Sequence, residues 1–343
     1  MLLRQVMGAR PLLAERVGLE LAPLALADIS GSIVDPKGIP DPVLNAALTA
    51  TAAGKLLRSV ADGEAHSAVA RVLSPHTVVA DMTASRETRG LIDDALQAGC
   101  GVALANKIPL AGPWRETRSL FEHPRLRYEC TVGAGLPVIS TLQTLRDTGD
   151  TITAIQGCFS GTLGYLCAEL EKGVPFSAAV EEAHALGFTE PDPREDLSGK
   201  DVARKALILA RTAGWHLEAD DIRVEALYPE ELGTVPVEAF MTAAASQDSG
   251  FRDRLASAFE RGETLRYVAR VGPAGGAVGL TAVPRDSSLG TLRGPANHIA
   301  LHTQRYATIP LVIAGPGAGP AVTAAGVMGD IIRLALEARV TPA

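Results

Sequence analysis

The sequence predicts an α/β chain in which a parallel-sheet domain is followed by an α+β domain. Two observations carry this expectation. Between about residues 75 and 130, short apolar runs alternate with amphipathic ones, the pattern of strand–helix–strand crossovers. From about 151 the order changes to one strand, three helical stretches and then a series of apolar strands.

Taken in order, Leu2 to Arg16 has helical periodicity, and Leu19 to Ala27 reads as a strand that ends at Asp28. Thr77–Ala80 reads as a buried strand, and Arg86–Ala98 as a helix stopped by Gly99. Val102–Ala105 is a second strand of that sheet, Trp114–Glu122 a helix and Leu126–Cys130 a third strand. Thr151–Cys158 then leads into helices near 161–172, 176–186 and 198–213. Strands follow near 222–226, 265–271, 277–283, 298–303 and 309–314, before a helix over about 320–338. The expected division is 1–150 for the first domain, 151–318 for the second, and 319–343 as a helix returning to the first.

Composition narrows the function classes. Hydrophobic residues make up 47% of 343 and charged residues 21%, ordinary for a folded soluble chain. A net charge of −7 argues against a nucleic-acid surface. No apolar run reaches the roughly 18 residues of a membrane helix, and Met1–Gly8 is a poor signal peptide. Cys100, Cys130, Cys158 and Cys167 form no metal-ligand spacing, so buried thiols in a reducing cytoplasm are expected. Only six lysines occur, at 37, 55, 107, 172, 200 and 205, in an Arg-dominated chain. Where chemistry needs a proton to come and go, Arg cannot replace Lys.

The stretch from Gly187 to Lys205 is the most informative. It opens as a Pro-rich loop holding Glu190, Asp192, Glu195 and Asp196, and continues into a helix with Ser198 as its expected cap. On that helix Asp201 and Lys205 are four apart and share a face, beside an apolar face of Val202, Ala206, Leu209 and Ala213. Such an arrangement suits either a solvated surface ion pair or a pocket that binds an ammonium group and supplies a proton donor.

This stretch resembles the signature of the homoserine dehydrogenases, oxidoreductases of threonine and methionine biosynthesis. Other segments resemble the family in the same order: Asp81-Met-Thr-Ala-Ser85, Ala105-Asn-Lys107, Glu129-Cys-Thr-Val-Gly-Ala-Gly-Leu-Pro137, Gly161-Thr162, Gly315-Pro-Gly-Ala-Gly319 and Val322-Thr-Ala-Ala-Gly326. The resemblance covers residues 70–335 well and the first 70 weakly. It implies a Rossmann-type nucleotide-binding domain, here without its first strand, plus a substrate-binding and dimerisation domain. The implied reaction is the NAD- or NADP-dependent interconversion of L-aspartate 4-semialdehyde and L-homoserine by a cytoplasmic homodimer. Lys205 and Lys107 match the proton-handling lysines, with their order of action left open. Glu190 and Asp201, with Asp196 in support, match the positions that hold the substrate's ammonium end. Thr83, Lys107, Gly187 and Gly319 match cofactor contacts. Glu129, Val132, Ala134 and Leu136 match a monovalent-cation site for Na+, built mostly of backbone carbonyls.

The sequence departs from the family at its start. The family opens with a strand and a Gly-rich loop that cradles the pyrophosphate at a helix N-terminus. Here Met1–Val6 resembles the helix that follows that loop. Either the true start lies upstream or the chain is truncated, and residues 1–343 alone are expected to bind dinucleotide weakly. Asp28, at the end of the second strand, stands where an acidic residue would bond the ribose of NAD. With the last helix expected to close the chain, no appended regulatory domain is expected. Two competing readings are a non-catalytic, dimerising remnant of the family and a related semialdehyde oxidoreductase with another substrate.

Overall fold

A computed structural model describes residues 1–61 and 63–340. Two compact units emerge: unit 1 contains 1–106, 123–128 and the segment from Pro320 onward, and unit 2 contains 107–122 and 129–319. The division follows packing rather than chain order, so Lys107 begins the first stretch of unit 2.

The chain opens with helix α1 (Leu2–Val17), ended by Gly18 in the left-handed conformation at φ 60°. Strand β1 (Ala25–Asp28) pairs antiparallel with β2 (Gly31–Val34) in a separate two-stranded sheet. This corrects the expected strand over 19–27. Pro23 has no N–H to give a ladder, and beyond it the nearest partner is the chain's own continuation. The Asp28 carboxylate accepts from Ser30 N (2.7 Å) and from Leu57 N (2.8 Å), so it caps the hairpin. Helix α2 (Asp41–Ala52) follows. It went unanticipated because Pro42 and a run of small residues hide its period.

Strand β3 (Val78–Asp81), helix α3 (Arg89–Gln97) and strand β4 (Gly101–Leu104) come next, then helix α4 (Trp114–Phe121) and strand β5 (Leu126–Arg127). The three strands form a parallel sheet in the order β3-β4-β5. β5 is shorter than expected because a 3₁₀ turn begins at Glu129.

Unit 2 continues with α5 (Val138–Asp147), β6 (Ile152–Cys158), α6 (Gly161–Glu171), α7 (Phe176–Ala185), α8 (Arg194–Leu197) and α9 (Lys200–Thr212). After β7 (Ile222–Val224) come two further helices, α10 (Val237–Ala243) and α11 (Asp248–Glu260). The strands β8 (Glu263–Gly272), β9 (Gly275–Pro284), β10 (Ala296–Thr303) and β11 (Leu311–Pro316) complete a six-stranded sheet ordered β11-β10-β6-β8-β9-β7. All its pairs are antiparallel except β7 with β9. The last helix, α12 (Pro320–Val340), belongs to unit 1, where Met328 packs with Val6, Leu13 and Leu19.

Burial on α9 explains how it can carry chemistry. Val202, Ala206, Leu209 and Ala210 are buried, and the helix packs on β8. That burial fixes the axis, so the polar face that carries Asp201, Arg204 and Lys205 is held rigidly. No described helix is long and apolar enough to cross a membrane.

Candidate active site

Two lysines, far apart in sequence, meet one carboxylate in unit 2. Lys205 Nζ lies 2.8 Å from Asp201 Oδ2, the expected one-turn pair on α9. Lys107 Nζ lies 3.5 Å from Asp201 Oδ1. Arg204 approaches the same oxygen at 3.8 Å. Lys205 also donates to the Phe159 carbonyl at 2.8 Å, beyond the end of β6. The Lys205 side chain is only 13% exposed, so two fixed acceptors define where its remaining N–H points. Burial acts to raise the Asp201 pKa, but Lys205, then Lys107 and Arg204 outweigh it and hold the carboxyl at about 2.

The loop before α9 is built to hold a second carboxylate. Asp192 accepts from Arg194 N at 3.0 Å and pairs with its guanidinium at 2.7 Å. That guanidinium also donates to the carbonyls of Leu232, Gly233 and Val235, which pins the loop. Asp196 Oδ2 accepts the backbone N–H of Glu190 at 2.8 Å. The Thr162 hydroxyl donates to the Phe188 carbonyl at 2.6 Å and also reaches Asp196. Burial raises the Asp196 pKa, the Asp201 charge adds to that, and the bonds from Glu190, Thr162 and the charge of Lys205 only partly offset it. The Glu190 residue itself is exposed.

Gly199 separates α8 from α9 at φ 69°, and a Cβ there would collide with the Tyr267 hydroxyl. The break sets the helix start one residue later than expected. Gly199 is the cap, and Ser198 Oγ accepts from Lys200 N at 3.3 Å. Tyr267 in turn donates to the Glu225 carbonyl at 2.7 Å.

The predicted cofactor contacts fall in both units. In unit 1, Asp81 ends β3 and accepts from Thr83 N (2.9 Å), the Thr88 hydroxyl (2.7 Å) and Asn106 Nδ2 (3.0 Å). This knot ties the carboxyl end of β3 to the segment after β4, where ligands of parallel sheets bind. Thr83 is exposed, and its oxygen accepts from Ser85 N and Asn106 Nδ2, so what it offers a ligand is its O–H. In unit 2, Gly187 sits at φ 70° with open space where a Cβ would stand, and Gly319 has φ 123°. Bare backbone at both positions fits a ligand that approaches closely.

At the predicted cation turn, Glu129 directs its carboxylate elsewhere. Oε1 accepts from Ile139 N at 2.6 Å and Oε2 from Ser140 N at 3.0 Å, capping α5. Ala134 is held at φ 55°. Val132 and Ala134 are buried, and Leu136 accepts from Val138 N at 2.8 Å. All four cysteines are buried, and burial pushes Cys158 up to about 12 and Cys167 to about 11, far from a reactive thiolate.

Sequence reasoning missed Arg204 and the Phe159 carbonyl. The spacing of Arg204, three residues after Asp201, was a usable signal. No pattern announces that a carbonyl 46 residues upstream will receive Lys205.

A Rossmann-type parallel-sheet unit and an α+β unit, the second with two lysines gathered on one carboxylate, define an α/β protein of the two-unit kind. The family model of homoserine dehydrogenase matches residues 137–332. A bifunctional aspartokinase/homoserine dehydrogenase of Daucus carota is 44% identical over 269 residues, covering 76% of this chain and 29% of that protein. A homoserine dehydrogenase of Emericella nidulans is 41% identical over 257 residues, 70% of each chain. Among solved structures, a hyperthermophilic archaeal homoserine dehydrogenase mutant in complex with NADPH aligns with a TM-score of 0.72 at 25% identity, covering 98% of this chain and 95% of that one. The chain belongs to the homoserine dehydrogenase family. It spans less than a third of the bifunctional plant relative.

Proposed function

We propose that the protein interconverts L-aspartate 4-semialdehyde and L-homoserine with NADPH or NADH. The observation that carries this is the meeting of Lys107 and Lys205 on Asp201. The nicotinamide, when bound, supplies or accepts the hydride. Everything else falls to the chain's own groups. As the aldehyde becomes an alcohol its oxygen takes a proton, and an ammonium held by a carboxylate and a carbonyl is placed to give one. Asp201 already faces three cations, which makes it an orienting group for the lysines and a weak receiver of a fourth. The substrate's ammonium end therefore falls to Glu190, with Asp196 in support. Asp196 fixes the Glu190 backbone and so sets where that carboxylate starts.

For a dinucleotide, unit 1 would offer the Thr83 hydroxyl, and unit 2 the Lys107 amine and the bare backbone of Gly187 and Gly319. The carbonyls of Glu129, Val132, Ala134 and Leu136 would hold Na+, with the Glu129 side chain bracing α5 beside them. β11 is an edge strand, and Ile309 beside it is 78% exposed with Val312 at 40%, which favours a homodimer with this edge covered. Buried free thiols suit a cytoplasmic setting.

The test is NAD(P)H oxidation followed at 340 nm with aspartate semialdehyde, together with the reverse reaction on homoserine. Semialdehyde-dependent oxidation of one of the two nucleotides is expected. Folded protein that oxidises neither, even at millimolar nucleotide, overturns the reading.

A further inference from the structure

Lys107 enters unit 2 on a segment that cannot hold itself in place. It caps a 3₁₀ turn of only three residues, Ile108–Leu110, and its own carbonyl accepts from Leu110 N at 3.1 Å. So short a turn has little internal stability. The carbonyls beyond it are gripped from outside. Arg211, one of the largest fully buried side chains, sends NH1 to the Leu110 carbonyl (2.8 Å), the Gly112 carbonyl (2.8 Å) and the Thr117 hydroxyl (3.1 Å). Its Nε donates to the Leu217 carbonyl at 3.0 Å, and NH2 meets Glu218 at 3.2 Å. Its guanidinium carbon lies 5.6 Å from the centre of the Trp114 ring.

Arg211 stands on α9, the helix that also carries Asp201 and Lys205. One rigid helix thus presents a carboxylate to the Lys107 ammonium and, ten residues on, a planar five-donor fork to the backbone just after Lys107. We propose that Arg211 is a positioning residue of the active site, which holds Lys107 in register with Asp201 and Lys205. The proposal rests on the enzymatic reading above and adds to it the residue that makes a two-lysine site from two distant segments. A lysine at 211 would keep the charge but could not serve carbonyls on two sides and a hydroxyl at once.

The test is a double-mutant cycle of Arg211→Lys and Lys107→Ala in the full chain, read as kcat and KM for homoserine. Misplacement by an ångström costs up to about 100-fold, so Arg211→Lys should lower kcat roughly 10- to 50-fold with KM nearly unchanged. In the Lys107→Ala background the same change should cost less than about twofold, because the group it positions is gone. Equal losses in both backgrounds overturn the proposal. Trace acetylation followed by mass spectrometry gives a readout independent of turnover. Lys107 labelling should rise severalfold in Arg211→Lys, with exposed Lys172 unchanged. Unchanged Lys107 labelling overturns the inference even if the chain proves to have another activity. Should Arg211→Lys fail to fold, Thr117→Val removes one bond of the same clamp. A smaller kcat loss, again dependent on Lys107, is expected, and a loss independent of Lys107 counts against the proposal.

Discussion

Asp196 and Asp201 lie five residues apart, yet their surroundings push them in opposite directions. Asp201, on a helix, faces Lys205, Lys107 and Arg204, and is held at about 2. Asp196, on the short helix α8 that follows a pinned loop, is half-buried beside the Glu190 N–H and Thr162, and is raised. The difference teaches how one short segment can supply two kinds of carboxylate. A carboxylate ringed by cations stays charged and orients them. A carboxylate held chiefly by one neutral backbone N–H keeps unspent affinity for a cation that arrives later. Environments that separate two pKa values in this way mark the division of labour in an active site.

The largest effect should come from breaking the cationic side of this comparison. Lys205→Ala or Lys107→Ala should lower kcat by about 100-fold or more, the scale of losing a general acid–base. Arg at either place should fail to restore it, since guanidinium does not give up its proton. Near-normal turnover in both alanine variants would remove the lysines from the chemistry. A smaller effect belongs to the other side. Glu190→Gln should raise KM for homoserine roughly 10- to 150-fold, matching the 1.5–3 kcal/mol of a hydrogen bond to a charged group. If Asp201→Asn raises KM in the same way while leaving kcat alone, the assignment of Asp201 as an orienting group is wrong.

Much of this site was legible because it is local. The four-residue spacing of Asp201 and Lys205 fixes a shared helix face, and the apolar stripe beside it tells which face is buried. The Pro-rich loop with its carboxylates was equally visible. The contribution of Lys107 was available only through resemblance, because its partner is 94 residues away and no local rule reaches that far. The failures have the same origin. Residues 19–24 look like strand, but a strand exists only where another backbone lies beside it, and the Asp28 turn supplied one at 31–34 instead. The side chain of Glu129 took a role no local pattern announces, since both its oxygens accept backbone N–H groups at the start of α5.

The smallest effect sharpens the comparison without touching catalysis. Because the folded-state pKa of Asp196 is raised above its ordinary value near 3.8, the folded chain binds that proton more tightly than the unfolded chain does. Its favourable contribution is therefore complete below about 3.8 and is lost as pH rises through the raised value. At neutral pH the charged Asp196 costs stability. Asn at 196 mimics the protonated form: its carbonyl can accept from Glu190 N, and its N–H₂ can donate to the Thr162 oxygen while Thr162 donates to Phe188. Asp196→Asn should therefore raise Tm at pH 7, by about 1–2 °C for each kcal/mol recovered in a chain of 343 residues, with the gain vanishing toward pH 4. Asp201→Asn should act with the opposite sign. Its lowered pKa means stability that is present above 3.8 and lost as pH falls toward 2. The loss should be small, since the Asp201 side chain is 42% exposed and its ion pairs are screened. Calorimetry of both variants between pH 4 and 8 decides the matter. A lower Tm for Asp196→Asn at pH 7 would mean that its charge is already matched within the fold, leaving nothing for an incoming ammonium group.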